Sequence, residues 1–528
     1  MPGSMGAIEV PCKYRKNVQE NCFMTTPNFK VLFLYPNLEM TSMVPQAIAV
    51  LSAVLRDCDI ETDVFDTTFY ATGLGDHNVD NVKVFLSKPY NFADKGIKNK
   101  TTDVYTDFKD KVNSFVPDLI AISLVEDTFR CGERLLKSIR EYGIPVVAGG
   151  AFCTYASDKV AECKDIDFII RGEGEAPLRE LCLALARDRS YKDIANLSYR
   201  EDGRLIKNDI RPAMDLNEVP FADYAVFENN DKQTLYRPMN GKIYKTIGLE
   251  TTRGCPFQCS FCNSASYNPL YRGESGSTFF RKKKISRFAE ELEYMVSTIK
   301  PELIYFLADV FLMMTDREFD EFYEVYSSYK LPFYFHTRAE TVNEERVRKL
   351  GELNCLRGNV GIEHGNEEFR RNVIFRKLKN KEIERAFAIV GKSSFSTVAN
   401  NIIGFPTETR ELIFDTINLN RKVALDVDSV SCFIFSPYHG VPARDLAIDK
   451  GYLSPDRLAD KNSFNTSILK MPDLSNETLM GLQRTFTMYV RFPKSRWDEI
   501  RKAEDFSSEG NMTFERLSKE LRTNYSAG

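Results

Sequence analysis

Residues 243–262, IYKTIGLETTRGCPFQCSFC, decide the fold of this chain, because an apolar strand runs directly into three closely spaced cysteines. Residues 244–250 predict a β-strand, since a short and mainly apolar run bounded by turn residues is typical of a buried strand. Cys255, Cys259 and Cys262 follow with the spacing C-x3-C-x2-C, which puts three thiols within eight residues. The cysteines are therefore expected on a loop at the end of this strand.

The pattern of a strand followed by a helix recurs after the cysteine loop. The five further strands predicted are LIYFLA (303–308), FYFHTR (333–338), GNVGIE (358–363), TVANNIIG (397–404) and SVSCFIF (429–435). The helices predicted between them lie near 286–299, 316–328, 343–353, 379–391 and 409–423. Six β/α units favour a partial parallel (β/α)6 barrel over residues 244–440, with its active site at the carboxyl ends of the strands.

A separate α/β series precedes the barrel. Lys30 to Tyr35, KVLFLY, is an unbroken apolar run, as expected of a parallel strand that is buried on both faces. The other strands predicted in this series are IETDVFD (60–66), DLIAIS (118–123), PVVAGG (145–150) and DFIIRG (167–172). Their alternation with helical segments predicts a doubly wound, Rossmann-like sheet over residues 29–190. An N-terminal arm (1–28), a linker with a hairpin (191–243) and a mainly helical C-terminal region (441–528) complete the predicted domains.

Composition narrows the class of protein. The chain has 528 residues and a net charge of −4, from 71 basic and 75 acidic residues. Such a balance produces no long-range field that would gather nucleic acid or anionic lipid, so neither partner is expected. The N-terminus has no apolar run typical of a secretory signal, and the longest apolar stretches are shorter than the roughly 20 residues of a membrane span. We therefore expect a cytoplasmic protein whose 12 cysteines are free thiols or metal ligands.

The three clustered thiols favour an iron–sulfur cluster. Thiolates are soft ligands suited to zinc, copper(I) or iron–sulfur clusters. Structural zinc normally takes four protein ligands, and no fourth Cys or His lies near this loop in the sequence. Three cysteines on a [4Fe-4S] cluster would instead leave one iron open to the amino and carboxylate groups of S-adenosylmethionine. Structural zinc with a remote fourth ligand and ordinary reduced thiols are the alternatives.

The cysteine loop resembles the signature of the radical S-adenosylmethionine (SAM) superfamily, C-x3-C-x-aromatic-C, in which Phe261 would shield the cluster. The resemblance continues through the barrel. ADVF at 308–311 is similar to a second-strand motif that contacts the methionine amino group, which implies this role for Asp309. VGIEHG at 360–365 is similar to a fourth-strand motif and implies that Glu363 binds the ribose or a nearby polar group.

Two later motifs extend this resemblance. NIIGFPTET at 401–409 is similar to the fifth-strand Gly-x-Pro motif near the adenine. It implies an apolar contact from Ile402 and backbone shaped by Gly404 and Pro406. FSPYHGVPARDLA at 435–447 is similar to a sixth-strand Pro-x-x-Gly-Thr segment, with Val441 in the place of Thr.

The first sheet resembles the cobalamin-binding domain that precedes the barrel in one large subgroup of that superfamily. It has no GxGxxG after its first strand, which disfavours a dinucleotide site. ISLVEDT (122–128) and AGGAF (148–152) carry the resemblance, as does RGEGEAPLREL at 171–181. They imply that Ser123 faces the nucleotide tail of cobalamin and that Gly149 and Gly150 let the cofactor pass close to the backbone. The Asp-x-His-x-x-Gly element is absent, so cobalt is expected without an axial histidine; a sheet that merely packs on the barrel is the alternative.

Polar side chains at the predicted strand ends form a rim of candidate catalytic residues. Three of the four histidines, His336, His364 and His439, fall there, and each is a candidate for substrate contact or proton transfer. Arg338 could clamp a carboxylate or phosphate-like group, and Tyr438 belongs to the same rim. The alternatives are structural histidines and an ion pair between Arg338 and Asp309 or Glu363.

These resemblances imply a cobalamin-dependent radical SAM enzyme, most typically a C-methyltransferase. In such enzymes one S-adenosylmethionine methylates cob(I)alamin, and a second yields a 5′-deoxyadenosyl radical that activates an unactivated carbon of a small-molecule substrate. A low-potential electron donor such as flavodoxin or ferredoxin is then required. Ring contraction, cyclisation, carbon–carbon coupling and 3-amino-3-carboxypropyl transfer are alternatives within the same layout. A zinc-stapled α/β binding protein is the alternative of another class.

Overall fold

The computed structural model describes residues 28–40, 44–72, 81–459 and 465–525. Its first sheet has seven strands in the order β2-β1-β3-β4-β5-β6-β7. These are β1 (Lys30–Tyr35), β2 (Glu61–Asp66), β3 (Leu119–Ser123), β4 (Val146–Gly149), β5 (Phe168–Ile170), β6 (Leu197–Glu201) and β7 (Arg204–Lys207). The first five are parallel, and β6 and β7 are antiparallel additions. The predicted N-terminal arm lies almost wholly outside the described residues.

Helices cover both faces of the first sheet, as a doubly wound fold requires. They are α1 (Gln46–Arg56), α2 (Val104–Phe115), α3 (Phe129–Ser138), α4 (Ala151–Tyr155), α5 (Ser157–Val160) and α6 (Glu175–Ala186). Successive side chains of β1 point to opposite faces, so Val31 and Phe33 join one hydrophobic core while Leu32 and Leu34 join another. This two-sided burial explains why KVLFLY has no polar residue among its central positions.

The predicted linker contains more regular structure than its sequence suggested. Hairpin β6–β7 continues the first sheet by pairing with β5, because Leu197 and Tyr199 bury their side chains in the core. A short helix, α7 (Ala225–Asp231), and an edge strand, β8 (Tyr236–Met239), follow it. The Pro-containing stretches weakened these signals, since proline interrupts the alternation by which strands are recognised in a sequence.

The second sheet forms the predicted partial barrel. Its order is β16-β15-β14-β13-β12-β9-β8, with six parallel strands and antiparallel β8 at one edge. The parallel strands are β9 (Lys242–Glu250), β12 (Leu303–Leu307), β13 (Phe333–Arg338), β14 (Cys355–Glu363), β15 (Ser396–Ile403) and β16 (Ser429–Ile434). A separate ribbon pairs β10 (Thr252–Arg253) with β11 (Arg281–Lys282). The α/β class and both predicted sheets are thus confirmed.

The helices of the barrel lie close to the predicted positions. They are α8 (Asn263–Ser275), α9 (Ile285–Thr298), α10 (Asp316–Ser327), α11 (Glu344–Glu352), α12 (Glu367–Asn372), α13 (Asn380–Val390) and α14 (Arg410–Val423). Side chains such as Phe306, Phe333 and Phe335 pack outward against them in one continuous core. The inner face of the sheet carries polar side chains at Tyr305, Tyr334 and His336, none of them fully buried.

The C-terminal region covers the open edge of the barrel. It consists of α15 (Pro442–Asp449), α16 (Asn476–Arg491), α17 (Trp497–Lys502) and α18 (Ser508–Tyr525). Gln483 and Thr487 of α16 donate hydrogen bonds to backbone carbonyls of β16 at 3.0 and 3.3 Å. A helix in this position shields an edge strand that would otherwise expose pairing groups. Within the described part of the chain, no helix is both long and apolar enough to cross a membrane.

Candidate active site

A cavity of about 600 Å³ lies where the carboxyl ends of the two sheets face each other. Ser123, Gly149 and Gly150 line it from the first sheet, and Asp309 and His336 line it from the barrel. Five of the residues predicted from sequence are therefore brought to one space, although they belong to two domains. Open α/β sheets and parallel barrels both bind ligands beyond the carboxyl ends of their strands, so the cavity lies where each fold would place its own ligand.

Two adjacent glycines of the first domain, Gly149 and Gly150, present bare backbone to the cavity. Gly150 has φ +112°, and a Cβ built there would lie 2.4 Å from the carbonyl oxygen of Leu124, so only glycine fits. A Cβ at Gly149 would meet no atom within 4 Å and would project into open space. The two glycines leave room for a ligand to approach the backbone, as the cobalamin interpretation requires.

The cysteine loop is held by the barrel and by α8. Asn268 donates a hydrogen bond to the carbonyl of Cys255 at 2.8 Å, and Cys262 stands at the N-terminus of α8. Cys255 and Cys259 are buried, and Cys262 is partly exposed. Burial raises the pKa of the thiols, to about 12 for Cys255 and about 11 for Cys262, and each thiol is close enough to influence the others. A metal ligand must be deprotonated, so binding of a metal ion or cluster here would release the protons that these thiols hold.

The three thiols do not converge on one point as the ligands of a single ion do. Among the residues that the structure describes, no three His, Cys, Asp or Glu side chains converge as ligands of one metal ion. A cluster makes a weaker demand, because each cysteine binds a different iron and the three sulfurs need not meet at one point.

Arg338 contacts the cysteine loop and lies outside the cavity wall. Its Nη1 donates a hydrogen bond to Sγ of Cys259 at 2.9 Å, and its guanidinium lies 3.8 Å from the ring centroid of Phe257. Its carboxylate partner is Glu340 at 2.6 Å, in place of Asp309 or Glu363, the partners that the alternative interpretation named. In this arrangement the guanidinium contacts the cysteine loop and does not line the cavity.

Glu363 ends β14 in the left-handed region at φ +65°, where the register between β14 and β15 shifts. Its Oε1 accepts a hydrogen bond from Arg376 at 3.0 Å. Burial raises the pKa of Glu363, and Arg376 and Arg338 oppose that effect. Burial and, in smaller part, the negative charge of Glu363 raise the pKa of the Cys259 thiol, so this carboxylate lies near the cysteine loop.

Asp309 and His336 are two of the polar side chains of the barrel wall. The surrounding protein desolvates the Asp309 carboxylate and raises its pKa although the side chain stays open to the cavity, and the hydroxyl of Ser264 opposes the shift. The pKa of His336 is lowered to about 4, first by burial and then by the positive charge of Arg357. A ring nitrogen of His336, Nε2, lies 3.2 Å from the amide nitrogen of Asn359. The imidazole is therefore neutral at physiological pH and can donate or accept one hydrogen bond in the cavity.

The fifth-strand residues pack behind the cysteine loop. Gly404 has φ +83°, and its amide donates to Glu408 at 2.5 Å. Phe261 makes an edge contact with Phe405, with ring centroids 6.0 Å apart. Ile402 is partly exposed and Pro406 is buried. These residues form one aromatic and apolar group with the loop, but they do not line the cavity.

The structure does not bring the three predicted histidines together. His364 is fully buried, its Nε2 lies 3.0 Å from Glu408, and its ring stacks on Phe369. His439 pairs with Glu126 of the first domain at 3.0 Å. Tyr438 donates to Asp127 at 2.6 Å. Only His336 reaches the cavity; the other three side chains stabilise the barrel or join it to the first domain.

An ion network that the sequence reasoning missed joins the two domains at the cavity. Arg253 pairs with Glu173 at 2.5 Å, with Glu175 at 2.7 Å and with Glu250 at 2.8 Å. Arg281 also pairs with Glu173. All three carboxylates and Arg253 line the cavity. Arg253 belongs to the motif TTRGC, and Glu173 and Glu175 belong to the motif RGEGE. The sequence alone does not show that the side chains of these two motifs form ion pairs.

Comparisons with known proteins agree with this architecture. The family model described as "B12 binding domain" matches residues 41–182, and that described as "Radical SAM superfamily" matches residues 249–419. Both matches fall within the corresponding predicted domains. Together they imply a [4Fe-4S] cluster, S-adenosylmethionine and cobalamin.

The names of the curated relatives indicate two kinds of enzyme, a methyltransferase and a cyclase. An uncharacterized methyltransferase of Pyrococcus horikoshii is 29% identical over 401 residues, which are 74% of this chain and 81% of the relative. The anaerobic magnesium-protoporphyrin IX monomethyl ester cyclase of Rubrivivax gelatinosus is 25% identical over 406 residues, 74% of this chain and 69% of that enzyme.

Solved structures share the fold across both domains. The radical SAM methyltransferase TsrM of Kitasatospora setae, with cobalamin and a [4Fe-4S] cluster bound, aligns with a TM-score of 0.59 and 17% identity over 81% of this chain and 76% of that one. The cobalamin-dependent SAM radical enzyme OxsB aligns with a TM-score of 0.58 and 14% identity over 94% of this chain and 71% of that one. With a B12-binding domain followed by a radical SAM domain, the chain belongs to the cobalamin-binding-domain-containing group of the radical S-adenosylmethionine superfamily.

Proposed function

We propose that the protein transfers a methyl group to an unactivated carbon of a small molecule in the cavity between the two sheets. The observation that carries the proposal is the shared cavity, which is walled by Gly149 and Gly150 from one domain and by Asp309 and His336 from the other. A methyl donor held by the first sheet and a radical generated at the barrel would both face this space. The methyltransferase relatives and the TsrM fold support the same reaction.

The proposed cofactors divide between the two halves of the site. When bound, the cluster and S-adenosylmethionine would supply the electron and the 5′-deoxyadenosyl radical, and cobalamin would supply the methyl group. Cys255, Cys259 and Cys262 would hold the cluster, and Gly149 and Gly150 would let cobalamin lie close to the backbone of the first sheet.

The chain's own residues would bind and orient the reactants. Asp309 lies open to the cavity beside the cysteine loop, so its carboxylate would accept a hydrogen bond from the methionine amino group. Glu363 lies further along the same face of the sheet, where it would bind a hydroxyl group of the ribose. His336 would hydrogen-bond the substrate as a neutral imidazole, and the apolar wall from Phe33 and Leu51 would exclude water.

The three thiols can be tested by replacement. Cys255, Cys259 and Cys262 changed together to Ala should abolish iron and sulfide incorporation on anaerobic reconstitution. The matched control changes Cys58, Cys131 and Cys163, which are buried elsewhere in the first domain, and should retain about four irons per chain. Zinc bound by the natural chain without iron or sulfide would refute the cluster.

Methyl transfer can be tested before the substrate is known. The reconstituted protein is incubated anaerobically with S-adenosylmethionine, dithionite and hydroxocobalamin, and nucleoside products are separated by chromatography. We expect 5′-deoxyadenosine from the cluster and S-adenosylhomocysteine from methylation of the reduced corrinoid. Deoxyadenosine without S-adenosylhomocysteine would overturn methyl transfer and leave radical chemistry in place.

Cyclisation is the second candidate, and the cyclase relatives favour it specifically. It would use the same cysteine loop and cavity but would consume no methyl group. The product assay therefore separates the two, since a cyclase would give deoxyadenosine alone in the presence of cobalamin.

A further inference from the structure

We propose that residues 371–381, named here the 371–381 platform, form the docking surface of a small acidic electron-carrier protein. The inference rests on the proposed function, because only a cluster that must be reduced requires such a carrier. The platform has the sequence RNVIFRKLKNK and connects α12 to α13. At its centre Phe375 is 51% exposed, one of the few large apolar side chains left in contact with solvent in the described structure.

The platform is joined directly to the cysteine loop. The amide of Ser260 donates a hydrogen bond to the carbonyl of Ile374 at 3.1 Å, and its hydroxyl donates to the carbonyl of Val373 at 2.6 Å. Ser260 follows Cys259 in the chain, and Phe375 follows Ile374. One hydrogen bond and two peptide units thus connect the Cys259 thiol to the backbone of the exposed ring, which is a short route for an electron.

Two fully buried arginines hold the platform against the barrel. Arg370 donates hydrogen bonds to the carbonyls of His364 and Leu378, both at 2.5 Å. Arg376 pairs with Glu363 at 3.0 Å and with Glu340 at 3.1 Å. Because both side chains are bound to partners inside the protein, they anchor the platform to the barrel.

The backbone at Phe375 is strained while its ring is exposed. Its φ of +62° lies in the left-handed region, which is an outlier conformation for a bulky residue. Half of its side chain nevertheless remains in solvent. An exposed aromatic ring kept in this position fits the centre of a transient interface, where aromatic side chains are enriched.

The charge of the platform selects an acidic partner. Arg371, Lys377, Lys379 and Lys381 are exposed and form no ion pair in the described part of the chain, and residues 371–381 contain no Asp or Glu. In the sequence, Glu367, Glu368 and Glu382 flank it, and Glu340 and Glu363 from other segments pair with its buried Arg376. A basic surface around an aromatic centre on a chain of net charge −4 would attract an anionic protein at a defined place.

The platform and the substrate cavity are on separate surfaces. None of the residues from 371 to 381 lines the cavity between the two sheets. The cysteine loop touches both, since Gly254 and Ser264 line the cavity and Ser260 bonds the platform. A carrier bound at the platform would therefore deliver an electron without displacing the reactants.

The test measures reduction of the cluster by photoreduced flavodoxin in an anaerobic stopped-flow instrument. The variant carries Lys377→Glu and Lys381→Glu, and its matched control carries Lys137→Glu and Lys164→Glu, which reverse two exposed lysines of the first domain. We expect the second-order rate constant to fall at least ~10-fold in the platform variant at low ionic strength and to approach the natural value in high salt. The control should match the natural protein.

Phe375→Gly removes the ring at a position whose backbone glycine adopts freely, so this variant should fold. It should lower the rate constant for flavodoxin by about tenfold. Reduction by dithionite, which needs no docking, should change no more than about twofold in any variant once salt screens the charges.

Equal flavodoxin rates in the platform variant, Phe375→Gly and the control would overturn the platform while leaving the cluster intact. A slow rate with dithionite as well would assign the change to the cluster and also overturn it. Sedimentation that shows a dimer of the natural protein and a monomer of the variants would give the surface to a second copy of this chain. If the reconstituted protein contains no iron, the proposed function itself is refuted. Iron analysis measures this separately from the reduction rates.

Discussion

The protonation of His336 is the most direct test of the electrostatics derived for the cavity. Burial and the charge of Arg357 lower its pKa from the ordinary value of 6.5 to about 4. At about 1.36 kcal/mol per pKa unit, this difference makes the free energy of unfolding above pH 6.5 larger by roughly 3 kcal/mol than it is below pH 4. Water in the cavity would reduce that figure.

Because the pKa of His336 is lowered in the folded protein, acid destabilises the fold. The folded protein holds His336 neutral, and the unfolded chain binds a proton below pH 6.5, so acid favours unfolding. The contribution of His336 is therefore present in full above pH 6.5 and is lost as the pH falls from 6.5 toward about 4. His336→Asn keeps a hydrogen-bonding group beside Asn359 and removes this dependence.

The assay is a pH titration of the imidazole carbon resonances of the cluster-free protein labelled with ¹³C-histidine. The chain has four histidines, so the signal absent from His336→Asn identifies His336. We expect that signal to remain that of a neutral ring down to about pH 5, and the thermal midpoint of the variant to vary less between pH 7.5 and 5 than that of the natural chain. A titration of His336 near pH 6.5 would refute the claim that burial dominates its environment.

Three further predictions concern the cavity and the cysteine loop. Gly150→Ala should destabilise the first domain by about 1–3 kcal/mol, because its Cβ would meet the Leu124 carbonyl. Gly149→Ala should leave the unfolding transition unchanged but weaken binding of hydroxocobalamin, measured by equilibrium dialysis. Equal affinity of the natural protein and Gly149→Ala would contradict a cobalamin wall there. Arg253→Met leaves Glu173, Glu175 and Glu250 with less compensation and should lower the free energy of local opening by about 3–5 kcal/mol. Hydrogen exchange of peptides covering 170–182 should accelerate by about two to four orders of magnitude, whereas Arg140→Met, which breaks the pair with Asp165, should change nothing there. Arg338→Met removes a charge-assisted hydrogen bond to Cys259 and should shift the reduction potential of the cluster to more negative values. The shift should be on the order of tens of millivolts for about 1 kcal/mol, measured in a redox titration followed by electron paramagnetic resonance. An unchanged potential would mean that the contact does not persist in the cluster-bound protein.

The sequence by itself determined the two sheets and the cysteine loop. The runs KVLFLY and FYFHTR begin and end with the observed strands. For KVLFLY the reason is burial on both faces, which admits almost no polar residue. The order of motifs after Cys262 likewise follows from the repeated β/α unit. These strand and helix patterns depend on residues that are close together in the chain, so the sequence alone reveals them.

Only the tertiary structure decided which of the singled-out residues share a site. His336, His364 and His439 all follow or end barrel strands, yet side chains on adjacent positions of a strand point to opposite faces, and turns beyond the strand redirect them further. His364 therefore turns inward to Glu408 while His336 faces the cavity. A sequence pattern fixes the strand end but not the direction of a side chain after it.

The contacts between domains were equally beyond the sequence. Glu173 and Arg253 are 80 positions apart, and Tyr438 and Asp127 are 311 apart, so no periodicity relates them. Their pairing depends on how two folded units meet, which is a property of their surfaces. The sequence thus determined what each domain is, and the packing of one against the other decided where the cavity lies and which side chains face it.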